Sequence, residues 1–378
     1  MIYMVGKMKE RENKNMAEEV AEQFAFEGMI VSCLPYGNGH INDTFKVGCK
    51  TEAGKKKDYI LQKINTSIFT KPEELMENVA GVTAFLRKRI LERGGNSERE
   101  TLNIIDTKSG NSFYRDSEGE CWRAYAFIED TFSYDLVSSP EDFYQSALAF
   151  GSFQELLADY PAESLHETIA GFHDTAARFK VFQMAVKNDV MGRAKEAEKE
   201  IGFVLEREPV TRILGDMLRK GELPLRVTHN DTKLNNVLLD KETGKGLCVI
   251  DLDTVMPGLA LNDFGDSIRF GASTAKEDEQ DLEKVSCDME LFEAYVKGFM
   301  EACGRSLTAK EKEMLPMGAK VMTLECGMRF LTDYLEGDHY FKTHREKQNL
   351  DRCRTQFKLV ADMEKKWEIM RKTVEAYS

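Results

Sequence analysis

Apolar residues recur at helical spacing in several long stretches of this chain and crowd into short runs elsewhere. Met16, Val20, Ala21 and Phe24 share one face of a helix expected over residues 15–26. Residues 30–34, 44–49 and 59–64 are β-prone, separated by Gly37-Asn38-Gly39 and by a polar turn around Gly54. Pro72 opens a helix to residue 90, with Leu75, Val79, Val82, Phe85 and Leu86 on its apolar face. Runs at 102–105, 112–114 and 122–128 predict further strands, so the first third is β-rich with one long helix. Beyond Asp130 the texture turns helical, with amphipathic stretches at 142–159 and 172–213. Short strand-like runs at 226–228, 236–239 and 247–250 interrupt it. Near the C-terminus Leu350, Cys353, Phe357, Val360, Trp367, Met370 and Val374 form one stripe, which reads as core packing. The pattern predicts an α+β chain of two lobes, residues 1–125 and 126–378.

Composition narrows the function. The 378 residues are 42% hydrophobic and 31% charged, enough apolar surface to bury a core and too much for a disordered chain. A net charge of −13 argues against nucleic acid and anionic membrane as partners. No run of eighteen apolar residues predicts a membrane span, and the polar first fifteen residues lack a signal-peptide core, so the cytoplasm is expected. The eight cysteines include no CxxC pair and no zinc-ligand spacing, and they read as free thiols.

The strongest chemical signal is Thr228-His229-Asn230-Asp231-Thr232-Lys233-Leu234-Asn235-Asn236 between two apolar runs. Asp231 follows a His by two residues, and Asn236 follows Asp231 by five. A second apolar run ends in Ile250-Asp251-Leu252-Asp253. One loop can aim Asp231 at a substrate hydroxyl and turn Asn236 toward a metal, while Asp251 supplies the anionic oxygen that Mg²⁺ prefers. That is the logic of phosphoryl transfer, where positioning and charge neutralisation dominate. Asn and Asp also favour plain turns, and a lone D-x4-N would be weak evidence. The strand that follows and the Gly-rich hairpin upstream, in that order, favour the chemical reading.

These motifs resemble the aminoglycoside phosphotransferase and choline kinase superfamily, which shares the protein-kinase-like fold. Within it the chain is most similar to the N-acetylhexosamine 1-kinases, through Gly37-Asn38-Gly39-His40-Ile41-Asn42-Asp43-Thr44, Leu61-Gln62-Lys63-Ile64-Asn65, the Asp231 loop, residues 250–258 and Asp263-Phe264-Gly265-Asp266-Ser267-Ile268-Arg269-Phe270. The resemblance implies a β-rich lobe with one long helix over a mainly helical lobe. It implies ATP and Mg²⁺ as cofactors and a small-molecule sugar as substrate, phosphorylated at its anomeric hydroxyl. Asp231 would be the base, and Asn236 and Asp251 the metal ligands. Choline, homoserine or an aminoglycoside as acceptor, or an inactive nucleotide-binding scaffold, are the alternatives. Asp263-Phe264-Gly265 spells the metal motif of protein kinases, yet Asp251 follows the strand beside the catalytic loop. Asp263 is therefore expected to anchor that loop or cap a helix.

The remaining candidates are softer. Gly37 and Gly39 would let a hairpin backbone approach phosphate. The hairpin has Asn42 where a third glycine is usual, and Asn42 or Thr44 either contacts phosphate or fixes the loop. His40 is a phosphate or substrate contact by the resemblance, or an exposed loop residue. The phosphate-holding cation of related kinases falls on Gln62, with Lys63 next to it, and strand alternation lets only one face the nucleotide. Glu77 on the long helix would be its partner, or simply a solvated side chain. Backbone groups from Ala126 to Ile128 would meet adenine. Phe270, Arg329 and Tyr340 match the sugar pocket of the hexosamine kinases; Arg329 could instead pair with Asp333 one helical turn on.

Overall fold

The computed structural model describes residues 16–37 and 41–378. The chain divides after Thr131 into two compact units. In the first, residues 16–21 are helical (α1). A sheet follows, made of β1 (Met29–Pro35), β2 (Asp43–Lys50), β3 (Lys56–Ile64), β4 (Ile104–Ile105), β5 (Tyr114–Arg115) and β6 (Cys121–Ala126). All pairings are antiparallel, in the order β1-β2-β3-β6-β4, with β5 also on β6. Alternation along the strands makes two faces. Phe45, Val47, Tyr59, Leu61, Trp122 and Ala124 pack with Ala17, Val20, Ala21 and Phe24 on one of them. Thr44, Gln62 and Arg123 sit opposite one another in register on the other. The long helix α2 (Pro72–Glu92) starts at its proline, as expected.

A two-residue strand, β7 (Thr131–Phe132), spans the division. The second unit is mainly helical. Its helices are α3 (Pro140–Leu156), α4 (Thr175–Asn188), α5 (Glu198–Leu205), α6 (Glu208–Arg219), α7 (Ala260–Gly271), α8 (Met289–Cys303), α9 (Ala309–Glu336), α10 (Gln348–Lys365) and α11 (Trp367–Tyr377). Two small antiparallel pairs lie among them: β8 (Arg226–Thr228) with β11 (Met256–Gly258), and β9 (Val237–Asp240) with β10 (Gly246–Val249). The α+β class expected from the sequence is the one found. The stretch expected as one amphipathic run over 172–213 is broken twice. Asp189 takes a left-handed conformation and Gly192 follows at φ +66°, ending α4. Pro209 then starts α6 after a turn. The C-terminal stripe likewise divides at Lys366. All eight cysteines are free thiols, and every one but Cys326 is buried. Among the described residues no helix is long and apolar enough to cross a membrane.

The crossing of α7 over α9 positions the chemistry. A Cβ at Gly318 would come within 2.6 Å of the Leu261 carbonyl oxygen, and one at Gly265 would overlap the Gly318 carbonyl. Two glycines thus let two backbones touch, and Gly265 lies between Asp263 and Asp266, the residues that hold the Asp231 loop. Gly265→Ala is expected to lower stability by about 1–3 kcal/mol through overpacking. Denaturant unfolding of the variant checks this; unchanged stability would contradict the close packing.

Candidate active site

β8 ends at Thr228, and the chain leaves it in a turn that Asn230 makes at φ 64°. Asn tolerates that left-handed conformation better than most residues. Its amide donates to the Thr254 carbonyl at 2.8 Å, and the Thr254 hydroxyl donates to the His229 carbonyl at 2.6 Å. The loop backbone is gathered by α7. Asp263 Oδ2 accepts the His229 N–H at 2.9 Å and Oδ1 the Asn230 N–H at 2.8 Å. Gln154 of α3 donates to the same carboxylate at 2.7 Å. One turn on, Asp266 accepts the Thr232 N–H at 2.9 Å, and Arg269 donates to Asp266 in turn. Burial pushes the Asp263 carboxyl above the usual carboxylate range, and the three N–H donors pull against that push. Asp263 is therefore the loop anchor expected from its position.

So held, the loop presents Asp231 half-buried. Its Oδ1 lies 2.8 Å from the Lys233 ammonium, and Asn236 donates to its Oδ2 at 3.2 Å and to its carbonyl at 2.9 Å. His229 lies between Phe150 and Phe153, donating Nε2–H to the Ile250 carbonyl, so its Nδ1 can accept the Asp231 N–H at 3.3 Å. The Asn236 carbonyl accepts the Ile250 N–H at 2.9 Å, which ties Asn236 to the residue before Asp251. Asp251 takes φ 60° at the end of that strand, with its side chain exposed. Asp231, Asn236 and Asp251 thus belong to one connected assembly. Among the described residues no three His, Cys, Asp or Glu side chains cluster as a metal site. The set here pairs a carboxylate with an amide, both hard oxygen donors suited to Mg²⁺.

In the first unit, Gly37 has φ +75°. Gly39 and His40 lie outside the described residues. Asn42 Oδ1 accepts the Asn65 N–H at 3.0 Å, so this side chain fixes the hairpin to the end of β3. Gln62 donates to the Thr44 hydroxyl at 3.1 Å. Lys63 points to the other face, beside Trp122, and pairs with Glu120 at 3.1 Å. Glu77 sits exposed on α2. The Ala126 N–H donates to Asn103 and the Phe127 N–H to Asp58, while the Ile128 carbonyl accepts the Thr131 hydroxyl.

Back in the second unit, a cavity of about 600 Å³ is lined by Phe172, His173, Asn230, Met256 and Asn262 among others. Arg329 stands at Phe172, 5.5 Å from the ring centre, and at similar distances from Tyr340 and Phe341. It donates to the Tyr340 hydroxyl at 3.3 Å. Asp333 is not its partner: both Asp333 oxygens accept loop N–H groups, from His339, Tyr340 and Phe341, with Asn349 adding another. Phe270 is half-buried at the end of α7. Sequence reasoning gave no role to His173, Glu325, Arg178 or Lys233. His173 Nδ1 meets the buried Glu325 at 2.8 Å, and its Nε2 is buried with no hydrogen-bond partner among the described residues. Burial and the nearby Arg329 charge hold the Arg178 guanidinium below its ordinary value. The signal for His173 was the Phe172-His173-Asp174-Thr175 string, whose partner Glu325 is 152 residues away, and Lys233 lay within the Asp231 loop itself.

Residues 32–286 match the phosphotransferase enzyme family, and the chain belongs to it. An aminoglycoside phosphotransferase from Alicyclobacillus acidocaldarius is similar at TM-score 0.58 and 12% identity, over 95% of this chain and 96% of that one. A choline kinase from Cryptosporidium parvum is similar at TM-score 0.53 and 15% identity, over 91% of each chain. An amicoumacin kinase, solved with AMP-PNP and Ca²⁺, is similar at TM-score 0.55 and 11% identity, over 93% and 95%. At these identities the likeness is one of fold. The protein is thus a member of the phosphotransferase enzyme family, with the α+β fold those kinases share.

Asp263→Asn would set an amide NH₂ against N–H donors at one of two occupied acceptor positions. It is expected to cost about 1–3 kcal/mol of stability. Thermal melts check this; an unchanged melting temperature would mean the anchor carries no load.

Proposed function

We propose that this protein transfers the γ-phosphoryl group of ATP to the anomeric hydroxyl of an N-acetylhexosamine, giving the sugar 1-phosphate and ADP. Residues 1–125 would serve the nucleotide, and residues 126–378 the metal and the acceptor. The single observation that carries the acceptor class is the pair of guanidinium groups, Arg329 and Arg178, at the aromatic wall of Phe172, Tyr340 and Phe341. Glu325, the buried acid nearby, is engaged by His173 and Thr175. Like charge beside the acceptor disfavours a quaternary amine or a polycation. It suits a neutral polyol whose hydroxyls and amide carbonyl accept N–H donors, with aromatic rings against its apolar face.

The residues divide the work accordingly. Asp231 Oδ2, held by the longer bond to Asn236, takes the proton of the attacking hydroxyl. The oxygen–phosphorus bond to the sugar forms as the bond to ADP breaks. Lys233 pairs with the Asp231 carboxylate and presents positive charge beside the reacting oxygens. Asn236 turns its amide nitrogen to Asp231, so its carbonyl oxygen and the exposed Asp251 carboxylate would be the groups to hold a metal. When bound, Mg²⁺ supplies charge neutralisation for the phosphates. The ends of the nucleotide fall to the hairpin around Gly37, Gly39 and Thr44, to Gln62 with Glu77, and to the Ala126–Ile128 backbone; His40, Phe270, Arg329 and Tyr340 complete the sugar side.

The direct test is ADP release with Mg-ATP and a panel of N-acetylhexosamines, choline, homoserine and an aminoglycoside. Turnover on the hexosamines alone is expected. Turnover on choline and on no hexosamine would refute the acceptor and leave the kinase standing. Asp231→Asn is nearly isosteric and should fold, yet lose about 10²–10⁴ in kcat as a missing base does; undiminished turnover would remove Asp231 from its role. Arg329→Leu should raise KM for the sugar by about 10- to 100-fold, equivalent to about 1–3 kcal/mol for an unpaired polar group, with KM for ATP unchanged. Equal loss for both substrates would make Arg329 a structural residue.

A further inference from the structure

Kinases of this chemistry neutralise the nucleotide phosphates with a cation on the third strand, and β3 carries Gln62 at that place. Lys63 cannot serve, because it points to the opposite face, paired with Glu120 beside Trp122. The register puts a different cation directly across from Gln62, namely Arg123 on β6. Arg123 is 1% exposed, and its Nε and Nη2 both donate to Gln62 Oε1, at 3.1 and 3.0 Å. Arginine has donors and no acceptor, so the amide of Gln62 has no choice of orientation. Its oxygen must face Arg123, and its NH₂ must face away, toward Thr44 at the base of the hairpin. An amide oxygen carries no formal charge, so this bond orients Gln62 and polarises its N–H groups.

Resting on the nucleotide reading above, we propose that Arg123 and Gln62 together replace the strand-three cation: Gln62 donates its NH₂ to a nucleoside polyphosphate, and Arg123 is the positioning residue that fixes the amide and supplies the positive potential behind it. The positive charge has moved one strand over, with a glutamine as relay. Thr44, Gln62 and Arg123 form one cross-strand row on the sheet face opposite the α1 core.

The proposal separates from a packing role by what the nucleotide carries. Binding of ADP and of adenosine is measured by calorimetry, with a thermal melt for each protein. Gln62→Glu should keep or raise the melting temperature, since it places a carboxylate on Arg123, and should bind adenosine as the wild type does. Its ADP affinity should fall about 10- to 100-fold, the scale of a lost charge-assisted hydrogen bond. Arg123→Met should weaken ADP and leave adenosine unchanged; the double variant Gln62→Lys/Arg123→Met, which returns a cation to β3, should recover ADP binding. Should Arg123→Met fail to fold, Gln62→Glu alone decides. ADP affinity within about twofold of wild type in Gln62→Glu, or equal factors for ADP and adenosine in the folded variants, would overturn the proposal. A wild type that binds neither ligand would overturn the nucleotide reading itself, a failure visible before any variant is compared.

Discussion

Asp263 gathers three N–H groups, from His229, Asn230 and Gln154, onto one buried carboxylate, and the rest of the site follows from that convergence. Backbone N–H groups in a loop have no ladder to satisfy them, and a buried unpaired one is costly. With both oxygens engaged, the chain can turn at Asn230 through a left-handed conformation and still bury its polar backbone. Without the carboxylate, the loop would keep its contacts to Asp266 and Thr254 but lose the anchor just before Asp231. Phosphoryl transfer depends on such anchoring, because its barrier is lowered mainly by placement and by fixed charge.

The anchor in turn depends on how α7 sits on the core. Phe264 and Ile268 lie in the large cluster with Tyr295 and Phe299, on the side away from the loop. Asp263 and Asp266, one turn apart, carry the loop, and Gly265 between them lets α9 approach to backbone contact. The same α9 carries Glu325 and Arg329 toward the cavity where His173 waits. Core packing, loop anchoring and the placement of Glu325 and Arg329 are thus successive turns of two helices. A change of volume at their crossing should be felt in all three.

Much of this was legible in the chain. The spacing from His229 to Asn236 and the acid after the 247–250 run pointed to a phosphotransferase family without any coordinates, because that motif sits in contiguous residues. The N-terminal sheet was equally readable from its β-prone runs and the turn signals between them. What was not legible depends on pairing across distance. Gln62 and Arg123 are 61 residues apart, and only the register between β3 and β6 makes them partners. Asp333 looked like an i+4 mate for Arg329, since helix spacing alone cannot show that a following loop has claimed its carboxylate. The breaks at Asp189 and Lys366 also escaped, because an amphipathic stripe continues across a turn when both segments pack on the same core.

Hydrogen exchange resolved to single amides tests the dependence on Asp263 most directly, because it reads the loop's own N–H groups in the unmodified protein. If the carboxylate holds the loop, the His229 and Asn230 amides should exchange as slowly as those of the α7 core, opening only with that helix. Exchange at the rate of solvent-exposed turns such as the one at Gly244 would show that the loop is not held, and the account of how Asp231 is aimed would fail with it.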